Sequence, residues 1–323
     1  MSSSVRNARG VLGQAEASSP SSQRQFVRLD PRKLRRQLKL GMVALVLVVF
    51  LMLLVAPGLL TSQDPIATGT SILQGPTVAH WFGTDQLGRD VFSRVVYGSR
   101  PVLIASLLGV ALATVGGVVV GILGGFAPRL VRGLVMRVVD VLLALPILLI
   151  ALILIATIGS GIFSIVIAVG ISFTPGFARV VEASVRKFRS MEYVQAATVF
   201  GMSRFRTSLK HLLPNLATEV VVLASSGIGW AVLTATTLSF LGLGVQLPAA
   251  DWGSDLAAGA TYLSTSWWLA TFPGLAITVT ILVTNFLGDY FTSVLDPRGR
   301  VGSRQGLGSY LGRIAPRKTI DAS

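Results

Sequence analysis

The sequence predicts an all-α, polytopic membrane protein with six transmembrane helices and with both termini in the cytoplasm. Of its 323 residues, 52% are apolar and only 13% are charged, a balance too apolar for a soluble globular domain. Five long runs contain no charged residue, and about 20 apolar residues suffice for a spanning helix. The positions of the lysines and arginines then indicate the orientation of the chain.

The five uncharged runs accommodate six spans, because the run Val141–Ala178 is long enough for two helices. Gly159, Ser160 and Gly161 provide a turn near its middle. The expected spans are 40–61, 102–126, 138–158, 162–181, 216–243 and 267–291. Three prolines inside or near the spans either kink helices around a cavity or are simply tolerated there: Pro146, Pro175 and Pro273.

Lysine and arginine residues are concentrated in alternate segments between the spans. With a cytoplasmic N-terminus, 25 of the 28 fall in the inner segments 1–39, 127–137, 179–215 and 292–323. Because orientation follows Lys and Arg rather than net charge, this distribution predicts the N-in, C-in topology. The same topology accounts for the formal net charge of +14 without a nucleic-acid partner.

The two ends of the chain are predicted to lie outside the membrane domain. Residues 1–39 are expected to form a basic, largely disordered cytoplasmic leader, 40–298 the transmembrane domain, and 299–323 a flexible cytoplasmic tail. The leader is not a cleaved signal peptide, because it is long and polar and no A-x-A site follows the first apolar run.

The residue types exclude several kinds of catalytic and metal site. There is no cysteine, and the two histidines, His80 and His211, lie far apart in the sequence. No Walker motif, G-x-S-x-G or H-E-x-x-H occurs. We therefore expect no catalytic residue, no metal site and no cofactor in this chain.

Two other classes of membrane protein are weighed against a transporter that is driven by a partner. A stand-alone channel or secondary carrier would show buried carboxylates or inverted repeats, and no acidic residue falls at the middle of a predicted span. A membrane-embedded enzyme would show a convergent catalytic group near the interface, and none is found in the sequence.

The outer segment 62–100 is long for a loop and contains two pairs of opposite charge. Asp85 with Arg89, and Asp90 with Arg94, have the i, i+4 spacing that stabilises a helix. A structured element is therefore expected close to the second span. It is either a surface helix or a wall of the substrate entrance.

A stripe of small residues lies in the second span. Gly117, Gly121 and Gly125 recur at four-residue spacing, which allows two helix backbones to approach closely in lipid. We expect these glycines to pack against another helix, either within the chain or in a partner subunit.

The basic segment 190–215 separates two long apolar blocks. Ala196 and Ala197 are followed by Gly201, and Pro214 fits the first turn of the fifth span. From these residues alone, the segment is either an amphipathic surface linker or a docking element for a soluble partner.

The same segment resembles the EAA loop of binding-protein-dependent ABC importer permeases. The pattern of that family is EAA, three residues, Gly, nine residues and I-x-L-P, and Gln195 and His211 depart from it in this chain. In the family the loop is the coupling helix that docks into a cytoplasmic ATPase. The resemblance implies that the ATPase-coupling residues are Tyr193, Gln195, Ala196, Ala197, Gly201, Arg204, Leu213 and Pro214.

Three further stretches resemble the peptide/nickel class of these permeases, and in particular its second, C-type subunit. They are FGTDQLGRDVFSRVVYGSR at 82–100, LSFLGLGVQLP at 238–248 followed by Asp-Trp-Gly, and the region 267–298. The resemblance places candidate entrance residues at the outer face: Asp85, Gln86, Arg89, Asp90, Asp251 and Trp252.

The resemblance also implies a fold, partners and a location. The fold is that of a type I ABC importer permease in the bacterial inner membrane. The partners are a homologous B-type permease, two cytoplasmic ATPase subunits that hold ATP and Mg²⁺, and an extracytoplasmic substrate-binding protein. Peptides are the expected cargo, and nickel, haem, glutathione and opine systems of the same class are the alternatives.

Overall fold

The computed structural model describes residues 31–192, 194 and 213–295. The chain divides into two units, 1–44 and 45–323. The described residues contain no β-strand, and a short 3₁₀ helix at Pro57–Leu59 follows α1. The α-helices are α1 (Pro31–Val55), α2 (Val91–Phe126), α3 (Arg129–Ala144), α4 (Ile147–Ile158), α5 (Ile162–Arg189), α6 (Leu213–Phe240), α7 (Trp252–Ala260) and α8 (Trp268–Leu295).

Four helices of the described part are long and apolar enough to cross a membrane. They are Val91–Phe126, Ile162–Arg189, Leu216–Phe240 and Trp268–Ser293. A fifth span results if α3 and α4 cross together, and the apolar part of α1, Leu40–Val55, is a shorter helix. The all-α, multi-pass class is confirmed, while the count of six spans and the orientation stay predictions.

The third predicted span departs from a straight helix. Residues 138–158 are divided between α3 and α4, which are bent by 97° at their junction. Leu145 adopts an extended backbone with ψ 142°, the conformation that a following proline favours. Pro146 then becomes the N-cap of α4. The predicted span 138–158 is therefore broken at Pro146, one of the three prolines expected to kink a helix or to be tolerated there, and its crossing of the membrane stays a prediction.

The glycine stripe of α2 lies directly against α5. A Cβ atom built on Gly117 would lie 2.3 Å from Phe177 Cβ, and one on Gly121 would lie 2.6 Å from Val181 Cβ. Gly125 likewise faces Val185. The two helices therefore approach so closely that any side chain larger than hydrogen would push them apart.

The core of the second unit forms where α2, α4, α5 and α6 meet. Its side chains are almost completely buried and include Ala113, Ile155, Val169, Phe177 and Leu238. Close packing of such side chains makes the bundle rigid and sensitive to changes of volume. This core fixes the relative positions of the helix ends that form the candidate sites.

The short helix α7 packs against both α6 and α8 through two glycines. A Cβ on Gly253 would lie 2.3 Å from the carbonyl oxygen of Thr236, and one on Gly259 would lie 2.5 Å from the carbonyl carbon of Leu269. Asp251 caps the start of α7 by accepting from the Gly253 and Ser254 amides. The helix is thereby held as part of the bundle.

The outer segment is a folded loop up to Asp90, and its remainder is the start of α2. Arg89 and Asp85 do pair, but within a tight turn that is closed by a bridge between Thr84 and Asp90. The prediction of a second helical pair, Asp90 with Arg94, was wrong. Asp90 is instead the N-cap of α2, and a capping carboxylate is occupied by backbone amides.

Candidate functional site

A buried arginine ties the outer segment to the rest of the bundle. Arg94, in the first turn of α2, is only 2% exposed. Its Nε and Nη2 atoms donate to Asp255 Oδ1 at 3.1 and 2.5 Å. Its Nη1 donates to the carbonyl oxygens of Pro65 and Pro248 at 3.1 and 3.2 Å. One guanidinium thus joins α2, α7 and two loops, using its several donors in a fixed geometry.

The turn before α2 is organised by a second buried carboxylate. Asp85 Oδ1 accepts from the amides of Leu87 and Arg89 at 2.8 and 2.9 Å, and Oδ2 accepts from Arg89 Nε at 2.6 Å. Gly88 completes the turn with φ 71°, which glycine adopts without a Cβ clash. A Cβ there would also meet the carbonyl of Gly69 at 2.2 Å.

Asp90 connects the turn to the outer loop and to α2. Its Oδ2 accepts from the Ser93 amide at 2.7 Å, and its Oδ1 lies 3.0 Å from His80 Nδ1. The Ser93 hydroxyl in turn donates to the carbonyl of Gln63 at 3.0 Å. A single carboxylate therefore caps the helix and holds the segment around His80.

The contacts of Asp85, Asp90 and Arg94 form a cluster that we call the outer junction. Two tryptophans from the C-terminal half of the chain complete it. Trp252 Nε1 donates to the carbonyl of Val95 at 2.7 Å, and Trp268 Nε1 donates to that of Thr84 at 3.2 Å. Trp268 also packs in an apolar cluster with Val91 and Leu269. Their rings supply buried apolar area and their N–H groups supply specific anchors.

The carboxyl group of Asp251 lies beside this junction, outside the candidate spans. It is 1% exposed, and burial raises its pKa above the ordinary value of 3.8. Hydrogen bonds from the Ser254 and Gly253 amides and from the Ser239 hydroxyl act in the opposite direction. The group is thus a buried cap whose charged form is disfavoured by the loss of water.

A small cavity of about 20 Å³ lies between the outer turn and α7, bordered by Asp85, Arg89, Arg94 and Asp255. Asp255 Oδ2 is buried without a hydrogen-bond partner among the described residues. Burial raises the pKa of Asp255, and the charge of Arg94 acts against that rise. The cavity is large enough for about one water molecule, so it is too small for a transported solute.

Most of the six candidate entrance residues are buried in this junction. Asp85, Arg89, Asp90, Asp251 and Trp252 are each at most 5% exposed, whereas Gln86 is partly exposed. Asp85, Arg89, Asp90 and Trp252 make hydrogen bonds within or to the outer segment, whereas Asp251 caps α7. Their part in a substrate entrance stays a prediction.

Sequence reasoning missed Asp255, His80 and Trp268 as members of the junction. The contact between Arg94 and Asp255 joins residues 161 positions apart, so no local spacing could reveal it. The available signal was weaker: Asp255 follows Asp251 by four residues in a short polar stretch between apolar runs.

At the opposite end of the bundle, charged residues near the helix ends are paired. Glu182 of α5 has a side chain that is 3% exposed, and its Oε1 lies 3.0 Å from Arg132 Nε and 3.6 Å from Arg186 Nε. Glu219 of α6 accepts from the Ser184 hydroxyl. These contacts join α3, α5 and α6 at the end that leads into the segment 190–215.

Arg189, the last residue of α5, bridges to the end of α2. Its Nη1 donates to the carbonyl of Gly125 at 2.7 Å, and its guanidinium lies 5.5 Å from the ring centroid of Phe126. The carbonyls at a helix end lack partners within the helix, so Arg189 satisfies one of them. The residue thereby fixes where the segment 190–215 leaves the bundle.

Most of the predicted coupling residues lie outside the described residues. These are Tyr193, Gln195, Ala196, Ala197, Gly201 and Arg204. Helix α6 begins at Leu213, so Pro214 lies in its first turn, where a missing N–H costs nothing. Val194 and Leu216, on either side of the undescribed stretch, pack in one cluster with Val181 and Val185 of α5. The two ends of the segment 190–215 therefore leave from the same apolar cluster.

Comparison with known protein families gives a match over residues 117–301. The matching family is the binding-protein-dependent transport system inner membrane component. The chain belongs to this family. As an inner membrane component of a binding-protein-dependent transport system, it is a multi-pass protein of the bacterial inner membrane, and its role is that of a permease rather than an enzyme.

Individual relatives of this inner membrane component are similar over most of their length. The probable D,D-dipeptide transport system permease protein DdpC of Escherichia coli is 37% identical over 79% of this chain and 86% of that protein. The glutathione transport system permease protein GsiD of Shigella flexneri is 42% identical over 69% of this chain and 74% of that protein.

The fold of this family member also has a counterpart among solved structures. A chain of the MetNI methionine ABC transporter, solved in inward-facing conformations, matches with a TM-score of 0.53 at 17% identity. The match covers 64% of this chain and 97% of that chain. At this identity the likeness shows the fold alone, and it agrees with an all-α permease architecture.

Proposed function

We propose that this inner membrane component is the C-type permease subunit of an ATP-driven importer whose cargo is a short peptide. The observation that carries the proposal is the 37% identity with a D,D-dipeptide permease, which extends over 86% of that protein. The match extends over 256 residues and 79% of this chain, so it supports the proposal over far more than one motif.

Energy for transport comes from other subunits in this proposal. The sequence carries no Walker motif, and the phosphates of ATP are held by such a loop in many ATPases. Two cytoplasmic ATPase subunits therefore bind ATP and Mg²⁺, and this chain holds no cofactor. A homologous B-type permease supplies the other half of the pathway, and a substrate-binding protein delivers the cargo from outside.

The segment 190–215 is the place where the ATPase acts on the helices. Its two ends leave from one apolar cluster, and Arg189 joins its start to the end of α2. A displacement of the segment would therefore reach α2, α5 and α6 together. ATP can shift the bundle between the inward-open and outward-open states only if the transporter binds ATP more tightly in one of these states than in the other.

Uptake of a labelled dipeptide tests the cargo. A strain without the gene for this chain is expected to lose uptake, and a plasmid copy is expected to restore it. Excess unlabelled dipeptide should compete, whereas excess glutathione should not. Uptake that persists without ATP would instead indicate a stand-alone channel or carrier.

The second candidate cargo is glutathione, a tripeptide-like solute. It is favoured by the 42% identity with a glutathione permease, although that match covers 74% of the relative. The same strains with labelled glutathione as the tracer separate the two, because gene-dependent uptake of glutathione that excess dipeptide does not reduce would reverse the assignment.

A matched pair of glycine substitutions tests the coupling segment. Gly201→Asp places a charge in the predicted ATPase contact and is expected to abolish both uptake and ATPase stimulation. Gly302→Asp makes the same chemical change in the predicted tail and should leave both at wild-type level. If Gly201→Asp leaves both intact, and the chain purifies without ATPase subunits, the importer proposal fails.

A further inference from the structure

Helix α3 separates arginines and bulky apolar side chains onto different faces. Arg129, Arg132, Gly133, Met136, Arg137 and Asp140 lie on one side and, together with Arg179 of α5, line an open groove of about 490 Å³. We call this the basic groove. It contains four arginines and one aspartate, so its charge favours an anion.

Two arginines of the basic groove are already paired within the chain. Arg132 lies against the buried Glu182, and Arg179 lies 3.6 Å from Asp140. Within the described ranges, Arg129 and Arg137 have no ion-pair partner, and both are exposed. Two guanidiniums are thus available to an external anion, and guanidinium matches the oxygens of a phosphate in a bidentate manner.

The other face of α3 presents apolar side chains to the outside. Leu130 is 77% exposed, Leu134 is 62% exposed and Val138 is 61% exposed. An exposed apolar stripe beside arginines is typical of a helix that lies in the membrane interface. The 97° bend between α3 and the apolar α4 allows α4 to enter the membrane while α3 remains at its surface.

The position of the basic groove indicates that its ligand comes from the inner leaflet of the membrane. Segment 127–137 is one of the basic segments predicted to face the cytoplasm, and the paired charges at this end of α5 lie beside the start of the coupling segment. Anionic lipids of a cytoplasmic leaflet attract such clusters, and basic pockets between helices on that side accept their headgroups.

We propose that the basic groove binds the phosphate headgroup of an anionic phospholipid of the inner leaflet, held chiefly by Arg129 and Arg137. The apolar stripe favours a lipid over an acidic protein surface, because acyl chains cover Leu130 and Leu134 while the headgroup occupies the groove. This site would hold α3 at the membrane surface next to the coupling segment.

Native mass spectrometry of the full chain in detergent tests the site. The probes are dioleoylphosphatidylglycerol, dioleoylphosphatidylcholine and inorganic phosphate. The wild type is expected to bind phosphatidylglycerol preferentially. Arg129→Gln and Arg137→Gln should each weaken that binding about fivefold, the contribution of one basic residue near an anionic lipid surface. Binding of phosphatidylcholine should not change.

Lys187→Gln is the matched control, since Lys187 is an exposed cation of α5 outside the groove. It should leave phosphatidylglycerol binding at the wild-type level. The double variant Arg129→Lys, Arg137→Lys keeps the charge and should keep the preference for phosphatidylglycerol, although more weakly because the bidentate contacts are lost.

Four results would overturn the lipid site. The first is equal binding of the two lipids by the wild type. The second is an equal loss in Lys187→Gln and Arg137→Gln. The third is unchanged phosphatidylglycerol binding in the glutamine variants. If the same variants also lose ATPase subunits when they are purified from cells that express the whole transporter, the groove binds a protein. Displacement of the lipid by millimolar inorganic phosphate would identify a free-anion site instead.

Discussion

Asp255 Oδ1 of α7 accepts two hydrogen bonds from the guanidinium of Arg94 in the first turn of α2, at 2.5 and 3.1 Å. Arg94 is 2% exposed, and its remaining donors reach carbonyls of two separate loops. The pair therefore fixes how the outer segment sits on the helical bundle.

Arg94→Met is expected to destabilise the chain by about 3 to 5 kcal/mol, because it leaves the Asp255 carboxylate buried without its partner. The double variant Arg94→Met, Asp255→Leu should recover part of this loss, since it removes both charges. The measurement is the unfolding midpoint of the purified chain in detergent.

The control for this pair is Asp140→Asn. Asp140 and Arg179 are 3.6 Å apart, and both side chains are about half exposed. Such a pair contributes less than about 1 kcal/mol. If Arg94→Met shifts the midpoint no more than Asp140→Asn does, the Arg94 contact does not hold the outer segment.

The buried cap Asp251 predicts a dependence of stability on pH. Because its folded pKa is raised above 3.8, the folded state holds the proton more tightly than the unfolded state does. The stability that Asp251 contributes is therefore fully present when its carboxyl group is protonated, and it is lost as the pH rises from about 4 through the raised pKa. Asp251→Asn should reduce this loss while keeping the cap.

Thermal unfolding at several pH values between about 4 and 7 measures this effect. Asp64→Asn is the control, because Asp64 is an exposed residue that accepts from the Ile66 amide. The assignment to Asp251 is contradicted if Asp251→Asn and the wild type lose the same stability across that range.

The bundle was predictable from the sequence because its causes are local. Uncharged runs mark the long helices, and the four-residue glycine spacing marks the face of α2 that lies on α5. The break at Pro146 was visible only as a proline, since whether a span kinks or ends depends on the neighbouring packing.

The outer junction was only half predictable. Opposite charges at i, i+4 suggested a helix, but Asp85 satisfies three donors in a turn and Asp90 caps α2. Turn and helix compete for the same carboxylates. The partner of Arg94 lies 161 residues away, and sequence spacing carries no information on such a contact.

Gly121→Ala tests the close approach of α2 and α5. The added Cβ would lie 2.6 Å from Val181 Cβ and 2.8 Å from the carbonyl of Ala178. The substitution should therefore force the helices apart and lower the free energy of unfolding by about 1 to 3 kcal/mol. The measurement is again the unfolding midpoint in detergent.

Gly176→Ala is the matched control, because it lies in α5 with nothing within 4 Å of an added Cβ. It should be neutral or stabilising by up to about 1 kcal/mol, since alanine is the better helix former. An equal effect of the two substitutions would show that helix propensity rather than packing determines the result.

Arg189→Gln tests whether the end of α5 is fastened to the end of α2. The substitution removes the donor to the Gly125 carbonyl and the contact with the Phe126 ring. The Arg189 side chain is exposed, so we expect the free energy of local unfolding at these helix ends to fall by about 1 kcal/mol. Amides in the last turns of α2 and α5 should then exchange about fivefold faster. Hydrogen exchange followed by mass spectrometry measures this locally.

Arg186→Gln is the matched substitution one turn earlier on α5. Arg186 lies 3.6 Å from Glu182, and within the described residues its side chain forms no hydrogen bond or ion pair with α2, so Arg186→Gln should leave exchange at the end of α2 unchanged. Faster exchange in Arg189→Gln alone would show that this arginine fastens the end of α5 to the end of α2. Equal exchange in both variants would contradict that role for Arg189.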